Sequence, residues 1–202
     1  MKKKLILLVG IVVFMVSCSY DASRAYRYGS YTFKQIGTNS VSFCGFGDLK
    51  LKDSLSGTFH IPKTIYGSKV TQIDYGAFSG CKLVTKVIIP DSVTTIGHSA
   101  FEGCSALTSI TIPDSVKNIS RNIFAGCSSL ENIVIPKSIT TIDGGAFIDC
   151  SKLTTVRFDD QTGWYVTPTE NASAGTNLTL DNPTQNAVYL KNKYRYYYWY
   201  KK

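Results

Sequence analysis

Over positions 73–158 the apolar residues recur on a fixed step of 23. That step carries Phe78 to Phe101, Phe124 and Phe147, Cys81 to Cys104, Cys127 and Cys150, and Pro90 to Pro113 and Pro136. The clearest copy runs Ile96, Ala100, Phe101, Gly103, Cys104, Leu107, Ile110, Ile112, Pro113. In segment 107–112 the apolar residues are separated by two polar positions and then by one. Leu107 is therefore predicted to turn inward, with Ile110 and Ile112 on one face of a short strand that Pro113 ends. Asp114, Ser115 and Val116 then start a turn, because short polar side chains bond nearby backbone. Ile119 and Phe124 return to the core on a segment too short and too rich in Gly for more than a turn or two of helix. A fixed period of this length is the signature of a stacked solenoid, in which each unit buries its apolar face only against its neighbours. Catalytic residues have no reason to repeat, so the pattern speaks first to architecture.

The flanks follow other patterns. Segment 30–60 alternates apolar and polar residues and is broken by Gly37, Gly45, Gly47 and Gly57, which predicts strands and hairpins lying over the first coil. Ile61-Pro62 matches Ile89-Pro90 as a first, irregular unit, with extra residues around 65–69 expected to form a loop. After Asp159 the period ends. Residues 163–166 suggest a strand, 171–177 a polar loop, and Asn182-Pro183 an N-cap followed by proline at the first position of a helix reaching about residue 192. Residues 194–202 are the most aromatic stretch, expected to cover the last coil.

The pattern Ile-Gly-x-x-Ala-Phe-x-Gly-Cys-x-x-Leu-x-x-Ile-x-Ile-Pro-x-Ser-Val of positions 96–116 resembles the BspA-type, or treponemal, leucine-rich repeat of bacterial surface proteins, and the resemblance extends over 61–158. It implies a curved solenoid with a parallel β-sheet on the concave face and short helical or irregular turns elsewhere. An N-terminal β cap (30–60) and an aromatic C-terminal cap (159–202) would flank the repeats. It also implies attachment to host proteins, extracellular matrix or other bacteria.

Charge changes the picture little. The formal net charge of +8 is carried by Lys2, Lys3, Lys4, Lys191, Lys193, Arg195, Lys201 and Lys202, leaving 14 basic residues against 14 acidic ones between them. The body is neutral, so no basic stripe for tracking phosphates is expected, and no nucleic-acid partner. At the start, Lys2-Lys3-Lys4, an apolar run over 5–16 and Ser17-Cys18 have the layout of a signal peptide (1–17). A cysteine at that place resembles the bacterial lipoprotein box, which implies lipidation of Cys18, a tether over 18–29 and anchoring to the membrane of the cell envelope.

Candidate chemistry is sparse. The four repeat cysteines are expected in a column about 5 Å per step inside the coil, as small buried hydrophobes rather than a disulfide framework or a zinc site, which needs convergent ligands. Cys44 lies outside that column. His60 and His98 have no partner near them in sequence, and Asp159-Asp160 should point to opposite strand faces. No catalytic group, cofactor or metal is expected. Between the inward residues lie three outward columns: Thr85, Thr108, Glu131 and Thr154; Lys86, Ser109, Asn132 and Thr155; and Ile88, Thr111, Val134 and Arg157. They form a neutral, hydroxyl-rich candidate face for an extracellular or host protein, presented by a monomer. A second reading makes Trp164, Tyr196, Tyr198 and Trp199 a carbohydrate- or wall-binding surface, since aromatic faces stack on sugars.

Overall fold

The computed structural model describes residues 25–28, 31–46 and 49–202. The leader, Cys18 and most of the 18–29 segment lie outside these residues. Ahead of the repeats come β1 (Ala25–Tyr28), β2 (Tyr31–Gly37), β3 (Ser40–Phe46), a short helix α1 (Leu49–Ser54) and β4 (Ser56–His60). The repeats supply β5 (Thr64–Ile65), β6 (Ser68–Ile73), β7 (Leu83–Ile88), β8 (Thr95–Ile96), β9 (Ser109–Ile110), β10 (Asn118–Ile119), β11 (Asn132–Ile135), β12 (Thr141–Ile142) and β13 (Thr155–Phe158). The C-terminal part holds β14 (Trp164–Thr167), β15 (Thr176–Asn177), helix α2 (Pro183–Val188), a π-helical turn over Tyr189–Lys193 and β16 (Tyr198–Lys201).

Each coil contributes one strand to each of two parallel ladders. The first is β4-β7-β9 and then β11-β13, with Lys86 opposite Ser109 and Asn132 opposite Thr155. The second is β3-β6-β8 and then β10-β12, with Ile73 opposite Ile96 and Ile119 opposite Ile142. Between β8 and β10 the backbone ladder is interrupted, and the Ser120 hydroxyl donates to the Ile96 carbonyl at 2.6 Å. In the neighbouring coils the backbone N–H groups of Gly97 and Asp143 make the equivalent bond, to Ile73 and Ile119, at 2.9 Å.

The turn after each first-ladder strand is repeated bond for bond. The N–H groups of Val93, Val116 and Ile139 donate to the carbonyls of Pro90, Pro113 and Pro136 at 3.0 Å, while proline, lacking an N–H, ends the strand. The serine of the Asp-Ser-Val turn ties one coil to the one before: Ser92 Oγ donates to Val70 at 2.7 Å and Ser115 Oγ to Val93 at 2.5 Å. Inside, Phe78, Phe101, Phe124 and Phe147 are fully buried, with successive ring centroids 5.2, 5.7 and 5.4 Å apart. The residue before each cysteine has a left-handed backbone, at Gly80, Gly103, Gly126 and Asp149 (φ 73, 68, 71 and 58°). Asp149 occupies the region because a short polar side chain tolerates it better than a bulky one.

The first coil meets strands that take the place of a preceding repeat. β3 and β4 pair in parallel with β6 and β7, and Phe43 extends the phenylalanine column, its ring 5.0 Å from Phe78. Tyr31, Phe46 and Phe59 gather around it, with Phe46 and Phe59 5.5 and 5.2 Å from Phe78. At the other end the chain returns: β16 pairs antiparallel with β12 and β14, and the Gly145 N–H donates to the Arg195 carbonyl at 2.6 Å. Arg195 thus supplies the acceptor that Arg121 supplies to Ser99 at 3.0 Å within the repeats. The sequence Gly144-Gly145 makes this possible, since a Cβ on Gly144 would stand 2.7 Å from the Tyr196 carbonyl oxygen. Helix α2 covers β13, where buried Asn186 donates through Nδ2 to the carbonyls of Val156 (3.0 Å) and Leu180 (3.1 Å). Lys191 Nζ donates to the Leu153 carbonyl at 2.6 Å, so side chains take up the open edge of the last coil.

Several local expectations change. Residues 25–28, expected within the tether, form β1 and pair antiparallel with β2. Helix α1 separates β3 from β4 in a region expected to hold strands alone. The 65–69 insertion is a tight hairpin: Tyr66 and Gly67 have φ of 48 and 82°, which reverses β5 into β6 within two residues. The helix begins as expected, Asn182 Oδ1 accepting from the Gln185 N–H at 3.0 Å. It widens at Tyr189 into a π turn, closed by the Tyr194 N–H on the Tyr189 carbonyl at 2.8 Å. The wider turn keeps Leu190 buried and packs Tyr189 against Tyr194.

Candidate functional site

Alternation along the first-ladder strands sorts the predicted face. Val87, Ile110, Ile133 and Val156 point into the core, and the residues between them face outward. Thr85, Lys86, Thr108, Ser109, Thr111, Glu131, Asn132, Val134, Thr154 and Arg157 are exposed, whereas Ile88 and Thr155 are half-buried. The first column is partly structural. Thr108 Oγ1 donates to the Thr85 carbonyl at 3.1 Å and Thr154 Oγ1 to Glu131 at 3.2 Å, continuing the ladder where the strand begins. In the second and third columns Lys86, Ser109, Asn132 and Thr111 are exposed, and the Arg157 guanidinium lies 2.9 Å from the Asp159 carboxylate.

The face is not flat. A hollow of about 450 Å³ is bordered by Ser109, Thr111, Asn132 and Val134, and its rim carries Asp91, Asp114 and Asp159. A second of about 300 Å³ lies between Asn132, Thr155, Arg157 and Pro183. The acidic rim was legible in the Pro-Asp pairs at 90–91 and 113–114, with Asp159 standing where the next proline would fall. Counting outward strand positions passes over it, because these residues follow the strands.

The aromatic alternative is corrected in part. Trp164 and Trp199 are 2% and 1% exposed, packed on Phe158 with centroids 5.2 and 6.2 Å away, so neither offers a ring face to a sugar. Their indole N–H groups are spent on the carbonyls of Asp160 (3.0 Å) and Tyr194 (3.5 Å). Tyr196 is exposed, with the Arg195 guanidinium 4.9 Å from its ring centre, and Tyr198 is half-buried. Of Asp159 and Asp160, the first pairs with Arg157 and the second with Lys201, whose ammonium, helped by Thr162, holds the Asp160 carboxyl down at about 2.

The cysteine column lies where the repeat predicts. Cys81, Cys104, Cys127 and Cys150 are free and buried. The thiols of Cys104, Cys127 and Cys150 donate to the carbonyls of Phe78, Phe101 and Phe124 at 3.1, 3.2 and 3.1 Å. Burial pushes Cys81 up to about 11, Cys104 and Cys150 to about 12, and Cys127 up as well. Neutral thiols of this kind are poor nucleophiles. Cys44 is half-buried, its Sγ 3.5 Å from Asp74 Oδ2. Among the described residues no group of three or more His, Cys, Asp or Glu side chains could hold a metal ion.

One constellation escaped the sequence reading. Tyr75, His98 and Arg121 occupy one repeat position beside the second ladder, and they line a cleft of about 400 Å³ with Asn122, Asp143, Glu170 and Tyr198. Arg121 Nη2 donates to the Tyr198 hydroxyl at 2.8 Å, across 77 positions of sequence. Burial raises the Asp143 carboxyl, against the opposing pull of His98 and Arg121. The only sequence signal was the 23-residue step from Tyr75 to His98 to Arg121.

Stacked 23-residue units with two parallel ladders and an exposed strand face define a solenoid repeat protein. Residues 52–163, more than half of the chain, match the BspA type leucine rich repeat region in six copies. The chain belongs to the BspA-type leucine-rich repeat family. A leucine rich cell surface protein of Faecalibacterium prausnitzii superposes with a TM-score of 0.59 at 23% identity, over 69% of this chain and 41% of that one. A leucine-rich repeat protein of Bacteroides ovatus gives 0.53 at 31% identity over 65% and 40%, and one of Bacteroides capillosus 0.58 at 28% over 68% and 100%. The chain spans about two fifths of the first two of these proteins. No curated protein matches it.

Proposed function

We propose that the chain is a non-enzymatic cell-surface protein that binds another protein through the outward face of β7, β9, β11 and β13. The partner is an extracellular or host protein, or a protein on another bacterium. The observation that carries this reading is the hollow between Ser109, Thr111, Asn132 and Val134, an exposed apolar spot (Val134, 40% exposed) inside a polar ring. An apolar centre with a polar rim is the usual anatomy of a protein contact, and the Asp91, Asp114 and Asp159 rim favours a partner with basic groups there. The sheet bearing this face is the concave side in our reading, and the N-terminal strands and C-terminal segment serve as caps. A surface location accords with the F. prausnitzii neighbour, which is described as a cell surface protein, and anchoring falls to a lipid on Cys18 in a monomeric chain.

The test is a pull-down from matrix and cell-surface extracts, with partners identified by mass spectrometry. Thr111→Arg and Asn132→Arg, each on an exposed site, should weaken capture about tenfold or more without changing the melting temperature. Capture that survives both substitutions sinks the assignment of the face. Incorporation of labelled palmitate, with processing blocked by globomycin, tests the anchor; a processed form without lipid removes it.

A further inference from the structure

We propose that the cleft beside the second ladder, on Tyr75, His98, Arg121, Asp143, Glu170 and Tyr198, is a binding site for a neutral saccharide. This site is separate from the strand face and stands or falls without it.

Its parts come from two places. The repeat step stacks Tyr75, His98 and Arg121. The left-handed turns at Ser99 and Asn122 (φ 54 and 55°) follow His98 and Arg121 directly, and the Ser99 N–H donates to the Arg121 carbonyl at 3.0 Å. The wall opposite comes from the C-terminal segment. Tyr198 accepts from Arg121 Nη2, which orients the guanidinium, and the Tyr200 hydroxyl accepts from the Asn171 N–H at 2.7 Å, which fixes the loop carrying Glu170.

The chemistry suits a sugar better than the alternatives. Sugar hydroxyls both donate and accept, and the cleft offers both functions: guanidinium and amide donors on Arg121 and Asn122, carboxylate acceptors on Asp143 and Glu170. Sugar C–H faces pack on aromatic rings, and Tyr75 is 71% exposed although it borders the cleft. Two carboxylates against one guanidinium disfavour an anionic ligand. The volume of about 400 Å³ falls in the range of small-ligand sites.

The experiment is saturation-transfer NMR and calorimetry on the intact chain, with glucose, galactose, N-acetylglucosamine, maltose and cellobiose as probes and glucuronate and N-acetylneuraminate as anionic comparators. At least one neutral sugar should bind saturably. Tyr75→Phe should retain that binding. Tyr75→Ala and Arg121→Gln should each weaken it about tenfold, at an unchanged melting temperature, and Lys82→Ala, outside the cleft, should have no effect. The proposal is overturned by the absence of saturable binding for all the neutral probes up to about 10 mM, by affinity that withstands both Tyr75→Ala and Arg121→Gln, or by a preference for the anionic sugars.

Discussion

Replacing Cys104 by Ser tests whether the cysteine column lies in a dry core. Cys104 is fully buried, its Sγ donates to the Phe78 carbonyl at 3.1 Å, and burial raises the thiol from 9.0 to about 12, with the neighbouring Cys81 adding to the shift. In the unfolded chain the thiol titrates near 9.0. Between those two values the unfolded state gives up a proton that the folded state keeps, so stability falls as pH rises; below about pH 8 both states are protonated and the group contributes no pH dependence. At about pH 10 the unfolded thiol is roughly tenfold more ionised than neutral while the folded one stays neutral, a loss of about 1.4 kcal/mol. Serine retains a donor for Phe78 and does not titrate in this range. Urea unfolding under reducing conditions should therefore show wild type losing about 1.4 kcal/mol more than Cys104→Ser between about pH 8 and 10. Tyrosine and lysine titrations are common to both proteins and cancel in the difference. Parallel stability curves for the two proteins would refute the dry-core argument.

Other perturbations read other parts of the structure. Phe101→Ala opens a cavity between Phe78 and Phe124 and should cost about 3 to 5 kcal/mol in chemical denaturation; a loss below about 1 kcal/mol would show that the column is not close-packed. Gly144→Ala places a Cβ 2.7 Å from the Tyr196 carbonyl oxygen, a backbone atom held in the returning C-terminal segment, and should destabilise more than Gly103→Ala, whose new Cβ meets nothing closer than 3.6 Å and whose cost is strain of about 1 kcal/mol at a φ of 68°. Equal melting temperatures for the two variants would contradict this. Asn186→Ala leaves the Val156 and Leu180 carbonyls without their amide donor and should cost about 2 kcal/mol. Calorimetry should find a lowered melting temperature, and an unchanged value would mean that α2 does not hold the edge of β13.

The repeats were legible because stacking converts sequence period directly into spatial register. Phe78 must lie next to Phe101 and Cys104 next to Cys127 once the 23-residue step is recognised, whatever happens at the ends. The outward columns follow from the same step together with strand alternation, and most of their members are exposed. Alternation could not tell that the Thr108 and Thr154 hydroxyls are turned back onto the preceding coil, since a hydroxyl that faces solvent and one that extends a ladder occupy the same strand position. Trp164 and Trp199 show the opposite error. The sequence around Trp199 is basic and tyrosine-rich, as a ligand surface would be, and Trp164 stands beside Tyr165, but the antiparallel pairing of β16 with β12 and β14 turns both rings onto Phe158.

The sequence by itself determined the period, the inward phenylalanine and cysteine columns and the outward strand face, all consequences of contacts between residues one step apart. Only the tertiary structure decided how the coil ends are met and where the cleft forms. Those features rest on meetings that no period encodes, such as Gly145 with Arg195, Asn186 with Val156 and Arg121 with Tyr198. Each depends on the path by which the non-repeating C-terminal segment returns across the last coils, and that path is set by burial of its aromatic rings rather than by any local pattern.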